Sequence, residues 1–277
     1  MNNFSHLEQF ITRKMAEQRI PGAVVGVWQA GETRVAASGV TNVDCPLPVT
    51  ADTLFQVGSI TKTFTALLLM QLVEEGRLDL DATVQSYLPD FRVADETVSR
   101  QATIRHLLTH TAGWVGDLFE DTGEGDDASA RYVALMADLP QLASLGMAYS
   151  YNNAGFYLAG VILEAVTGRF YADLLQERVL NPLGMTHSYL KPTDVMTYCY
   201  AVGHDIQGEG EVKTLRPWAL PRAVYPVGGL ITTVPDLLRY GRFQMGNGVT
   251  ESGERLLTPE SMQQIHTPQV KIWGDTE

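Results

Sequence analysis

"GSITKTFTALLLMQLVEEG", Gly58–Gly76, sets a serine and a lysine three residues apart, Ser59 and Lys62, at the head of an apolar run. The run is apolar almost all round and stops at a glycine, which predicts a buried central helix ended by Gly76. A lysine on such a helix has no solvated face to occupy. Residues three apart on a helix stand one turn above each other, so the spacing brings Lys62 beside Ser59. A serine hydroxyl is a poor nucleophile until a base takes its proton. Burial lowers a lysine pKa and makes the neutral amine available as that base. The N-terminal end of the helix favours a developing oxyanion, and the Ser59 backbone N–H is a natural donor to it. By itself, Ser-x-x-Lys is a short pattern that also recurs by chance.

A second element strengthens it. "YSYNNAGFYLAG", Tyr149–Gly160, carries Tyr151-Asn152-Asn153 just before another helix pattern. A phenol there can share or relay a proton with Lys62, and an amide can hydrogen-bond the acyl side chain of a substrate.

Upstream, helical spacing at Phe4, Leu7, Phe10 and Ile11 ends at Pro21 and Gly22. The runs "AVVGVWQ" and "TRVAASG", joined by Ala30, Gly31 and Glu32, read as a β-hairpin. Downstream, helices are expected at "TIRHLLTH", "ASARYVALMADL", "AGFYLAGVILEAVTG" and "FYADLLQERVL", and "VGGLITTVPDLLRYGRFQ" reads as a short extended piece and then a helix. The chain thus falls into residues 1–58 (helix and hairpin), 59–215 (mainly helical, with both motifs) and 216–277 (a return toward the first part).

A net charge of −12 without a Lys/Arg cluster argues against a nucleic-acid role. Cys45 and Cys199 lack the spacing of a zinc site or a disulfide framework and are expected as free thiols. No run has membrane-spanning length, and the N-terminus lacks the uninterrupted apolar core of a signal peptide. The expectation is therefore no membrane association and a cytoplasmic location, or a periplasmic or secreted one if an export signal has been removed. The acidic stretch Glu120–Asp127 lacks EF-hand spacing and reads as a solvated loop. His106 and His110 lack the Glu of H-E-x-x-H and read as packing or capping residues. Trp114 serves equally well as pocket wall or core. Gly228 and Gly229 read as a turn that lets backbone approach the site, and Thr63 and Thr65 as helix packing. With no G-x-S-x-G elbow and no P-loop, an α/β-hydrolase and a nucleotide-binding protein are disfavoured.

The chain resembles the serine β-lactamase and penicillin-binding-protein superfamily, in its class C-like branch of class C β-lactamases, D-alanyl-D-alanine carboxypeptidases and related esterases. The resemblance rests on "LFQVGSITKTFTALLLMQLVEEGRLDLDATVQSYLP", "TIRHLLTHTAGW", "YSYNNAGFYLAGVILEAVTG", "VLNPLGMTHS" and "VGGLITTVPDLLRY", in the family's order. It implies an α+β fold, an antiparallel sheet flanked by helices plus an all-helical region, with the active site at their junction. It implies Ser59 as acylating nucleophile, Lys62 as its proton partner, Tyr151 as a base and Asn153 as a substrate-contacting amide. It also implies a small-molecule acyl substrate and no metal or organic cofactor.

The family's third motif, Lys-Thr-Gly or His-x-Gly on a late strand, has no match here. "HTAG" at His110–Gly113 belongs to an earlier segment, and "KTL" at Lys213–Leu215 lacks the glycine. Two strands of a hairpin do not make an independently stable sheet. The expectation is that the last strands of the sheet lie outside this chain, or come from a second polypeptide or another copy in a homo-oligomer. A β-lactamase-like serine hydrolase leaning to esters is thus expected. The alternatives are a D-alanyl-D-alanine carboxypeptidase or class C β-lactamase proper and, in another class, a non-catalytic penicillin-binding or scaffolding homologue or inactive fragment.

Overall fold

The structure, a computed structural model, describes residues 6–208 and 210–272. In chain order, α1 (Leu7–Gln18) precedes β1 (Gly22–Gln29), β2 (Glu32–Gly39) and β3 (Phe55–Gln56). Then come α2 (Thr61–Glu74), α3 (Glu96–Gln101), α4 (Ile104–Leu108), α5 (Ala128–Leu135), α6 (Asn153–Thr167) and α7 (Tyr171–Leu175). The chain continues with β4 (Ser188–Tyr189), α8 (Pro192–Val195), β5 (His204–Gln207) and β6 (Glu211–Thr214). It closes with α9 (Tyr225–Gly228), β7 (Ile231–Thr232), α10 (Val234–Gln244) and α11 (Pro259–His266). Two compact units result, one of residues 1–57, 180–220 and 230–246, the other of residues 58–179, 221–229 and 247–277.

The first unit is built on the expected hairpin. β1 and β2 pair antiparallel from Gly22↔Gly39 to Gln29↔Glu32, so Glu32 is the first strand residue rather than part of the turn. Ala30 (φ 51°) and Gly31 (φ 85°) form a two-residue turn whose left-handed backbone suits the strand twist. α10 lies so close on β1 that a Cβ at Gly26 would meet Val234 Cγ1 at 2.3 Å, and only glycine allows this approach. β3, β7 and β4 form a three-stranded antiparallel sheet with β7 in the middle. Ile231 of β7 is buried in a cluster with Leu54 and Val195, and Tyr189, Tyr200 and Trp218 pack against it. A second hairpin, β5–β6, was not expected from the sequence, and Lys213 of the "KTL" stretch lies on it. Cys45 and Cys199 are both exposed free thiols. Among the described residues, no sheet exceeds three strands.

The second unit is helical, around α2. Phe64, Leu67, Leu68, Leu69 and Leu72 are buried on all sides of it, as an all-round apolar helix requires. Gly76 turns the chain away at φ 67°. α6, α7 and α9 pack on α2, and Thr65 is held in that contact, with Oγ1 donating to Pro226 O (2.6 Å) and lying 2.8 Å from Tyr171 Oη. Thr63, expected as a packing residue, is instead exposed. Tyr132 of α5 stacks on Tyr157 of α6 at 3.8 Å. No helix among the described residues is long and apolar enough to cross a membrane.

Candidate active site

Ser59, Lys62, Tyr151 and Asn153 all belong to the helical unit. Ser59 is not on α2 itself. It sits in a 3₁₀ turn, Gly58–Ile60, that leads into the helix. Lys62, three residues on, is the second residue of α2. Ser59 is exposed, Lys62 is only 5% exposed, and Lys62 Nζ donates to Ser59 Oγ at 2.9 Å. A second bond, to the backbone carbonyl of Val227 at 2.9 Å, fixes the amine from the other side. That carbonyl is on α9, the short helix ending in the glycine pair singled out in the sequence.

Burial lowers the Lys62 pKa. A hydrogen bond with Tyr151, its charge and that of Asp117 work in the opposite direction. The amine stands 5.0 Å from the centre of the Tyr151 ring and 5.7 Å from that of Phe156. The tyrosine is 43% exposed, and Ser59 is exposed as well.

The turn carrying Tyr151 is held by its neighbours. Asn152 caps α6 by accepting the Gly155 N–H (2.7 Å), and its Nδ2 donates to Trp114 O (2.9 Å). His110, in left-handed backbone at φ 57°, accepts the Ser150 N–H on its carbonyl (2.8 Å) and the Asn152 N–H on Nδ1 (2.9 Å). Its ring lies 4.5 Å from that of Tyr151 and 5.2 Å from that of Phe156. Burial, and then the charge of Lys62, push the imidazole pKa down to about 4. His110 is therefore neutral near pH 7, with Nδ1 as acceptor and the proton on Nε2.

His106 caps α4, its Nδ1 accepting the Thr103 N–H at 3.1 Å. Trp114 is fully buried with its ring 5.8 Å from Phe91, which resolves the choice between core and pocket wall in favour of core. Asn153 is 8% exposed, and its Nδ2 donates to Asp117 Oδ1 at 2.7 Å. Sequence reasoning missed Asp117 and the Val227 carbonyl. A backbone oxygen leaves no mark in a sequence, and Asp117 follows a glycine in a segment that reads as loop. Chemically, the arrangement is an accessible hydroxyl in contact with a dehydrated amine, with a phenol and an amide–carboxylate pair alongside.

A model of the beta-lactamase family matches residues 7–274. Over 258 residues the chain is 36% identical to penicillin-binding protein 4 of Amycolatopsis lactamdurans, covering 93% of this chain and 68% of that protein. It is 27% identical over 246 residues to protein flp of Staphylococcus aureus (strain NCTC 8325 / PS 47), covering 86% of this chain and 48% of that one. Among solved structures, an octameric penicillin-binding protein homologue from Pyrococcus abyssi superposes with a TM-score of 0.84 at 29% identity, over 99% of this chain and 62% of that one. A class C beta lactamase from Rhodobacter sphaeroides gives 0.73 at 28%, over 96% and 70%. The chain thus spans less than two thirds of the staphylococcal and Pyrococcus relatives. The fold has the α+β class expected from the resemblance.

Proposed function

The chain belongs to the beta-lactamase family, and on that premise we propose that it is a serine hydrolase acting through an acyl-enzyme. Ser59 is the nucleophile, Lys62 and Tyr151 exchange its proton, and Asn153 contacts the acyl group. The observation that carries this reading is the 2.9 Å contact between Lys62 Nζ and Ser59 Oγ at a buried lysine. In its neutral form Lys62 takes the Ser59 proton as Oγ attacks the carbonyl carbon of the substrate. The oxyanion forms toward the Ser59 backbone N–H. When the tetrahedral adduct collapses, the bond to the leaving group breaks, and the proton held by Lys62 and Tyr151 passes to that group. Water then attacks the acyl-Ser59 ester and gives a proton back to the pair, releasing the acid and restoring the hydroxyl. Lys62 and Tyr151 are in contact and share the acid and base roles.

The substrates are small acyl compounds with ester, β-lactam or amide carbonyls, esters foremost. A second reading, a penicillin-binding D-alanyl-D-alanine carboxypeptidase or class C β-lactamase, is favoured by the name of the 36%-identical relative, penicillin-binding protein 4. Two active-site probes, a fluorophosphonate and a fluorescent penicillin, separate the readings. The fluorophosphonate is expected to label the wild-type chain and not Ser59→Ala, with Lys62→Ala slower by about 10²–10⁴-fold. Penicillin labelling lost in Ser59→Ala would favour the second reading. No Ser59-dependent label from either probe would overturn both and leave a non-catalytic homologue.

A further inference from the structure

We infer that Asp117 selects acyl donors bearing a protonated amine, by presenting a carboxylate to the cation beside Asn153. The inference rests on the acyl-enzyme reading above.

Asp117 is brought there by backbone. The Ala154 N–H donates to Gly116 O at 2.8 Å, and Asn152 Nδ2 to Trp114 O at 2.9 Å, so the segment 114–117 is tied along the Tyr151–Asn153 turn. A Cβ at Gly116 would lie 2.5 Å from Tyr151 O and 2.8 Å from Asn152 Cα, both backbone atoms. Glycine is therefore required for the approach, which sets the next residue, Asp117, against Asn153.

A carboxylate accepts hydrogen bonds only. With Asp117 Oδ1 taking the Asn153 Nδ2 proton at 2.7 Å, the amide is turned with its NH₂ toward Asp117 and its carbonyl oxygen away. What remains for a substrate is two acceptors, Asn153 Oδ1 and Asp117 Oδ2, and the second N–H of Asn153 Nδ2. An ammonium group donates to both acceptors and is attracted by the Asp117 charge, a neutral group gains at most the single Asn153 N–H, and a carboxylate is repelled by Asp117.

Asp117 is exposed, and among the described residues no Lys or Arg pairs with it. Its charge reaches Lys62. The loop that follows adds to the field. Its nearby arginines are already engaged, Arg131 with Asp127 (3.1 Å) and Arg222 with Asp126 (2.8 Å), while Glu120, Asp121 and Glu124 stay exposed.

Three phenyl esters of one skeleton test this: glycine phenyl ester (–CH₂NH₃⁺), phenyl propionate (–CH₂CH₃) and monophenyl malonate (–CH₂COO⁻). Each kcat/KM is divided by that ester's own hydroxide-catalysed rate, so that only enzymic selection is compared. The cation is expected to exceed the neutral ester by about three- to tenfold, and the neutral ester to exceed the anion. Asp117→Asn, which keeps an acceptor for Asn153, should bring the three closer together, and fully together at high salt, and Asp117→Lys should invert the order. Above about pH 8, where an α-amine loses its proton, the preference should fade. A wild-type ratio near one, or a ratio unchanged in Asp117→Asn, overturns the inference. Equal loss of all three activities in Asp117→Asn overturns it too, because Asp117 would then only position Asn153. The absence of any Ser59-dependent turnover would instead sink the acyl-enzyme reading itself.

Discussion

His110 shows how much one side chain holds at the site. Its carbonyl and its Nδ1 each bind a backbone N–H of the turn that carries Tyr151, and its ring lies against the phenol. Those two bonds need a residue tolerant of φ 57° and an unprotonated Nδ1. Lys62, Tyr149, Tyr151 and Phe156 face the ring, and none of them supplies a negative charge for an imidazolium. Unfolded, the imidazole takes up a proton near pH 6.5; folded, it resists until about 4. The folded state therefore binds fewer protons between these values, and its stability should fall as pH drops from about 6.5 toward 4. His106, whose pKa is also lowered by burial, adds to the same slope. His110→Asn, which tolerates left-handed backbone and keeps an acceptor, should have a flatter slope in that window, read from denaturant midpoints at a series of pH values. A difference between wild type and variant that does not change with pH would mean that His110 titrates normally. The pattern "HTAG" marked the segment, but nothing in it distinguishes a histidine that packs from one that accepts a specific backbone proton.

At the scale of elements, the site depends on how closely α6 and α9 pack. Gly160 of α6 faces Pro226 of α9, and a Cβ at Gly160 would lie 2.1 Å from Pro226 Cγ and 2.6 Å from Pro226 Cβ. A proline ring has no rotamer with which to escape, so the helix would have to move, and with it the Val227 carbonyl that binds Lys62. Gly160→Ala gains about 1 kcal/mol of helix propensity, against about 1–3 kcal/mol for overpacking. The variant is expected to be destabilised and also slower in Ser59 labelling, as seen by thermal melting and fluorophosphonate kinetics. Unchanged labelling in a destabilised variant would show that the Val227 carbonyl does not position Lys62. The helices themselves were legible, because α2 and α6 bury long apolar runs that end at Gly76 and Gly168, both with left-handed φ. The second hairpin was not. β5 and β6 are short, half-exposed and rich in charge, so alternation of apolar and polar residues is weak there. The helix expected over "FYADLLQERVL" begins as α7 but loosens to a π turn at Gln176–Leu180, a change of hydrogen bonding that residue periodicity does not encode. Contacts between distant segments, such as Gly116 on Tyr151 or Gly160 on Pro226, are likewise set by tertiary packing.

At the scale of the whole chain, 32 acidic residues outweigh 20 Lys and Arg, giving a net charge of −12. Such a field favours approach of cations and opposes that of anions, over a range fixed by salt. The Debye length is about 30 Å at 0.01 M and falls to about 3 Å at 1 M. A short-range contact between Asp117 and a bound ammonium is far less screened than the summed field of the remaining charges. The two contributions therefore separate on a salt titration. Raising salt from about 0.01 M to 0.5 M should lower kcat/KM for glycine phenyl ester, leave phenyl propionate nearly unchanged and raise it for monophenyl malonate. In wild type, a preference for the cation should survive at high salt, because the pair at Asp117 lies within one screening length. In Asp117→Asn, the low-salt preference should persist in reduced form and vanish at 0.5 M, since only the distant charges remain. If wild type and variant lose their preference together as salt rises, the selectivity belongs to the net charge of the chain, and Asp117 is one acidic residue among many.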